Sequence, residues 1–111
     1  MYLAEFIGTF VLIFLILFIN STSNLSDVQN AICIGIAVTF SILLCKLLHY
    51  NAQSHFNPVV STVSYINCEI KMKTCVVFIL LQVLAALLAF GLFKKIQENN
   101  ILFLNKFISY I

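Results

Sequence analysis

Charge is nearly absent from this sequence. Asp, Glu, Lys and Arg make up 9% of its 111 residues, against roughly 25% in soluble globular domains. Hydrophobic residues make up 62%, against about 45–50%, and the mean hydropathy is +1.08. A chain of this length could not hide so much apolar surface from water, so lipid is the solvent for much of it. The formal charge of +2 comes without a basic stripe interleaved with aromatics, which excludes a nucleic-acid interface. There is no paired carboxylate set, no nucleophile–base arrangement and no phosphate loop, so an enzyme is not expected. Cysteines stand at 33, 45, 68 and 75 without a CxxC, and none joins His49 or His55 at zinc spacing. Neither a disulfide, a metal nor any other cofactor is expected. No internal repeat is found, and the length suits one unit. The first segment also lacks the basic n-region of a signal peptide, carries Glu5 early and has too long an apolar run.

What is present is three long apolar runs. The first covers about 2–19, and its only charge is Glu5; at 1.5 Å per residue it reaches roughly 27 Å, close to a hydrocarbon core of about 30 Å. The second covers about 30–48, with Lys46 near its end where a lysine can snorkel. The third covers about 74–93, contains Gln82, and is closed by Lys94 and Lys95. A polar turn from Asn20 to Asp27 joins the first two. The second connection, Tyr50 to Lys73, holds the only proline. Asn57-Pro58 there reads as a helix start, because asparagine is a favoured cap and proline is pre-shaped for the first helical position. A short helix over about 57–66 is too short to cross a bilayer and is expected to be re-entrant or interfacial. Residues 94–111 read as a tail, polar at first and then apolar enough to lie on a membrane. Ala4 and Gly8, Ala31 and Gly35, and Ala85 and Ala89 are small pairs four apart that let helices approach closely in lipid.

A polar or ionisable residue within a span is costly and marks a buried contact or a pathway. The candidates are Glu5, Gln82 and the loop set His55, Asn57 and Pro58. Ala4-Glu-Phe-Ile-Gly-Thr-Phe10 resembles the opening motif of the aquaporin and glycerol-facilitator family. Ser54-His-Phe-Asn-Pro-Val-Val-Ser61 resembles that family's first Asn-Pro-Ala box. Gln82 falls where the family places a glutamine on its third helix. The three matches run in order over residues 1–93. The resemblance implies an all-α membrane protein of three transmembrane helices plus one re-entrant half-helix, one aquaporin-like inverted repeat. It implies that Asn57 caps the half-helix through its side-chain oxygen and offers its amide N–H to a solute, that Pro58 fixes the first helical residue, and that Glu5 and Gln82 support the loop. Read without the family, Glu5 could sit among headgroups, Gln82 could be an ordinary interhelical hydrogen-bonder, and His55 a hydrogen-bonded loop residue.

The sequence also departs from the family pattern. Val59 stands where alanine is usual, and Ala52-Gln53 replaces Ser-Gly before the box. The stretch from Gly35 to Asn57 is about three residues longer, so the pore-narrowing position of the second helix falls on Ile34 or near Ala37, aliphatic in either case. The second Asn-Pro box and the arginine that follows it are absent. One repeat alone exposes half a pore to lipid. Two copies in opposite orientations would restore the family's inverted symmetry. The lysines are compatible with that: Lys46, Lys71 and Lys73 face one side and Lys94, Lys95 and Lys106 the other, a tie that sets no orientation. The expected function is a passive channel for water or small neutral solutes such as glycerol. It would work in a lipid bilayer as a homo-oligomer or with a complementary second half. The alternative is a non-conducting truncated fragment or a structural membrane subunit.

Overall fold

The computed structural model describes residues 1–22 and 24–111, Phe103 by its backbone. It holds four helices in order: α1 Tyr2–Ser21, α2 Asp27–Leu48, α3 Pro58–Ile66 and α4 Met72–Tyr110. Three of them, α1, α2 and α4, are long and apolar enough to cross a membrane, whereas the nine residues of α3 reach only about 14 Å. The architecture is the expected one, three spans and a half-helix.

α1 is the central element and packs against both α2 and α4. Its buried residues Ala4, Glu5, Gly8, Thr9 and Leu12 recur three and four apart, which places them on one side of the helix. It ends where Ser21 Oγ and Thr22 Oγ1 donate back to the Phe18 carbonyl, at 2.7 and 3.3 Å. α2 starts three residues before the expected Asn30. The reason is a capping box: Ser26 Oγ accepts from the Gln29 amide at 3.2 Å, and Gln29 Oε1 accepts from the Ser26 amide at 3.0 Å. Its small buried residues Ala37, Ser41 and Cys45 repeat every four, and Cys45 Sγ donates to the Ala4 carbonyl of α1 at 3.1 Å. Short side chains on the seam are what lets the two backbones come this close.

α4 runs parallel to α1. Tyr2 meets Phe78 edge-on at 5.9 Å between ring centroids, and a helix length further on Phe14 meets Phe93 at 6.2 Å. The third span was expected to close at Phe93, with residues 94–111 as a separate tail; instead one helix continues unbroken to Tyr110. Lysine marks a change of polarity, not a helix end, and beyond Gly91 there is neither glycine nor proline to stop the ladder, while Lys, Gln, Glu and Leu are good helix formers. The 39 residues make about 58 Å of helix, and the molecule's longest extent is 62 Å.

α3 packs on α4 and runs antiparallel to it. Its first residues lie beside Gln82 and Ala86, and further along Cys75 Sγ donates to the Ser61 carbonyl at 3.4 Å. It stops at Asn67, whose amide donates to the Val63 carbonyl at 2.8 Å. Cys68 follows at φ 59°, and the Glu69 amide closes on the Ser64 carbonyl at 2.9 Å. This left-handed exit turns the chain back into α4.

Candidate pore site

The site is built on the non-helical segment between α2 and α3, and three anchors hold that segment. At its outer end the Lys46 ammonium donates to the Ala52 carbonyl, and the Ala52 amide donates to the His49 carbonyl at 2.9 Å. At its inner end the Glu5 carboxylate of α1, 1% exposed, accepts the backbone N–H of both His55 and Phe56. Gln82 of α4, 2% exposed, completes the set: its Nε2 donates to Glu5 Oε1 and to Ser61 Oγ, each at 2.9 Å. Non-helical backbone at membrane depth must find its partners inside the protein, and here an acceptor from one span and a donor from another provide them. Glu5 therefore sits inside the bundle and not among headgroups. Residues 50 and 77 positions apart in sequence meet at one carboxylate.

Two residues of the segment, Ser54 at φ 56° and Phe56 at φ 55°, lie in the left-handed region. For residues other than glycine this costs roughly 1–2 kcal/mol each. Such conformations persist when their surroundings over-determine them. Here the two amide bonds to Glu5 fix the backbone, and Phe56 is inserted against Gly8. A Cβ on Gly8 would stand 2.3 Å from Phe56 Cε1 and 2.7 Å from Cζ, so only glycine permits the approach. His55 is seated by Ser61 Oγ, 3.0 Å from its Nδ1, and by the edge of Phe78 at 5.3 Å between centroids. It is a hydrogen-bonded loop residue.

The segment delivers Asn57 and Pro58 to the start of α3. Asn57 Oδ1 accepts from the Val59 amide at 2.8 Å, and Pro58 occupies the first helical position, where a missing N–H costs nothing. The tip lies beside Thr9 and Ile13, which bracket the middle of α1, and beside Gln82, Val83 and Ala86 of α4. The half-helix thus begins near the mid-depth of the spans and runs outward. On one side of it lies a groove of about 310 Å³, lined by Leu12, Ile13 and Ile16 of α1, Val38 and Ile42 of α2, the loop from Ser54 to Asn57, and Val60. Among the described residues, the carbonyls of Ser54, His55 and Phe56 accept no hydrogen bond. An aliphatic wall therefore faces a polar loop.

Of the residues singled out in the sequence, Glu5, Gln82, His55, Asn57 and Pro58 come together here. Val59 is at the tip but points outward, 68% exposed. Ile34 is half-buried on α2, one turn before Val38, and is not part of the groove lining, while Ala37 is buried among Ala4 and Leu12. Val38 and Ile42 face the loop instead. They continue the stripe of Ile34 at intervals of four, and that interval was the available signal. Ser61 and Phe56 were quoted within motifs without a role, and Gly8 was read only as a small residue for close helix packing; for Phe56 no local pattern announces a left-handed aromatic.

A family model described as major intrinsic protein matches residues 1–110. The glycerol uptake facilitator protein-like 6 of Lactiplantibacillus plantarum is 31% identical over 95 residues, which is 85% of this chain and 42% of that protein. The chain thus spans under half the length of this curated relative. No solved structure matches.

Proposed function

Because this chain belongs to the major intrinsic protein family, we propose that it forms one wall of a passive transmembrane pore for water or small neutral solutes such as glycerol. The chain is an integral, multi-pass membrane protein. The observation that carries the reading is the half-helix start at mid-depth, capped by Asn57 and bordered by unpaired loop carbonyls. Asn57 spends its side-chain oxygen on the Val59 amide, so its Nδ2 hydrogens remain for a passing hydroxyl or water oxygen. The carbonyls of Ser54, His55 and Phe56 accept from the solute's own O–H groups. The helix end carries roughly half a positive charge, which opposes protons and cations at the narrowest depth and leaves neutral molecules unaffected. No bond is made or broken; solutes move down their gradient, exchanging water for these groups.

Loop carbonyls cannot face hydrocarbon. The groove therefore acts only when a second element covers it, either another copy of this chain or a complementary half. Purified protein reconstituted in sealed vesicles tests the reading. Under an osmotic gradient of sucrose or of glycerol, vesicles containing the helical, folded protein swell or shrink faster than empty ones. Rates equal to those of empty vesicles for both would remove the channel reading and leave a structural membrane subunit.

A further inference from the structure

α4 outlasts its neighbours. Phe18 and Ser21 close α1 beside Ile96, Gln97, Asn100 and Ile101, and α4 then runs on for about 15 Å to Tyr110. Apart from Gln97, every described side chain from Lys94 to Ile111 is exposed. Ile101, Leu104, Phe107, Ile108 and Ile111 stand 55–90% exposed, where a helix surrounded by water would carry polar side chains. We propose that residues 101–111 form an interfacial helix: the chain bends at Asn99–Asn100, and the apolar side of the segment lies in the headgroup boundary of an anionic membrane. This surface is separate from the pore site and independent of the channel reading.

Three observations select this partner. The first is sidedness. At about 100° per residue, the five apolar residues fall within one arc of about 120°. Lys95, Glu98, Asn99, Asn105, Lys106 and Ser109 fall within the opposite arc, where Leu102 is the one apolar residue. That division suits a helix lying flat between acyl chains and headgroups. The second is charge. From Lys94 onward the chain carries three lysines against one glutamate, and Lys95 and Lys106 stand on the polar side, so the segment complements anionic headgroups. The third is the joint. Asn99–Asn100 immediately precedes the apolar run, and asparagine is among the weaker helix formers and tolerates the left-handed region. Past Ile101 every described side chain is exposed, so only the backbone ladder holds the helix straight.

A second copy fits the segment less well. Two parallel helices would share the seam of Ile101, Leu104, Ile108 and Ile111 and leave Phe107 on its flank. The positions beside that seam, where opposite charges set the pairing of such helices, hold Asn100 and Asn105. A membrane covers the whole arc at once, Phe107 included. Lys106 then keeps its ammonium among the headgroups while its stem lies along the apolar boundary. The bend brings the segment down where α4 leaves the bilayer, next to Lys94 and Lys95.

The chain has no tryptophan, so Phe107→Trp places a single reporter on the apolar side and Ser109→Trp one on the polar side. Each full-length variant, shown helical by circular dichroism, is reconstituted in vesicles of phosphatidylcholine with phosphatidylglycerol, with and without brominated acyl chains. The Phe107→Trp indole emits to the blue, and bromine quenches it at least twofold more than the Ser109→Trp indole. Leu104→Trp, one turn earlier on the same side, behaves like Phe107→Trp. Leaving out phosphatidylglycerol, or adding Lys106→Glu, lowers the quenching at least twofold. Emission typical of an indole in water at position 107, equal quenching at 107 and 109, or quenching indifferent to phosphatidylglycerol overturns the proposal. A blue-shifted Phe107→Trp indole that bromine does not reach reveals a protein cover, such as a second copy, and overturns it too. Swelling of the same vesicles reads the channel separately, so either result stands without the other.

Discussion

Removing the Glu5 carboxylate tests the physical basis of the site directly. Its two oxygens accept three N–H groups: Phe56 and Gln82 on Oε1 and His55 on Oε2. Glu5→Ala leaves three buried donors without a partner, and each such group costs about 1–3 kcal/mol. Water drawn into the space left behind recovers part of this, so the lower end of the sum, about 3 kcal/mol, is the reasonable expectation. That is a large share of the total stability of about 5–15 kcal/mol of a typical domain. Glu5→Gln is the graded control. Its single carbonyl oxygen can occupy the Oε1 position and keep Phe56 and Gln82, but its NH2 then opposes the His55 N–H, and the remaining bonds lose their charge. Its expected cost is about 1–2 kcal/mol, since charged hydrogen bonds are roughly twice as strong as neutral ones. Hydrogen exchange at the His55 and Phe56 amides in nanodiscs reads the effect locally. At about 1.4 kcal/mol per decade, exchange accelerates roughly 100-fold in Glu5→Ala and about tenfold in Glu5→Gln. Glu98→Gln, on the exposed extension of α4, changes neither amide. Protection of both amides within threefold of wild type in Glu5→Ala would falsify the idea that this carboxylate holds the loop at depth.

The close approach of Gly8 to Phe56 predicts that Gly8→Ala lowers the melting temperature in detergent, at a cost of about 1–3 kcal/mol for overpacking around a ring that is 7% exposed. Gly35→Ala meets nothing within 4 Å and is expected to be neutral or stabilising by about 0.5–1 kcal/mol on the same melting curve. Asn57→Ala removes the α3 cap, at about 1 kcal/mol, and also the amide donors at the tip. Glycerol-driven swelling therefore falls well below wild type while circular dichroism stays helical. Ser61→Ala takes an acceptor from Gln82 and a partner from His55, so melting falls by an amount worth about 1–2 kcal/mol and exchange at the α3 amides rises.

What the sequence disclosed follows from the range of each determinant. The start of α3 was legible because a cap is local chemistry: an asparagine, a proline and a short apolar run are sufficient. The start of α2 was equally local, in Ser26 and Gln29 three apart, yet the polar turn before it drew the expected boundary to Asn30. The end of α4 was misplaced for a different reason. Hydropathy reports the edge of the hydrocarbon, while helix continuation depends on backbone hydrogen bonds, and Lys94 to Asn100 supply a soluble helical turn instead of a stop. Glu5 and Gln82 are polar residues in apolar runs, so their importance was visible, but spacings of 50 and 77 residues carry no geometry. Their roles came from the family resemblance. The left-handed Ser54 and Phe56 had no signal at all, since neither is a residue type that favours that conformation. The groove lining on α2, Val38 and Ile42, continues the stripe of Ile34 at intervals of four, so the stripe was legible while the turns of it that meet the loop were not.

α1 unites these elements. It carries the loop acceptor at Glu5, the opening for the loop's aromatic at Gly8, the mid-depth contact at Thr9 and Ile13, and the groove wall at Leu12 and Ile16. A single helix can do all of this because positions three and four apart share a face, and each turn along that face meets its neighbours at a different depth. The same arrangement explains why the donor opposite Glu5 is an amide. A lysine on α4 at Gln82 would also satisfy the carboxylate, but a long, strongly hydrated ammonium gives one compact charge, whereas the planar amide spans Glu5 and Ser61 with two fixed hydrogens and adds no charge beside the α3 tip. Lys46 is kept at the outer end of the loop, on the Ala52 carbonyl. The α3 terminus is thereby left as an electropositive feature at mid-depth, the condition the proposed pore needs to pass neutral solutes and refuse cations.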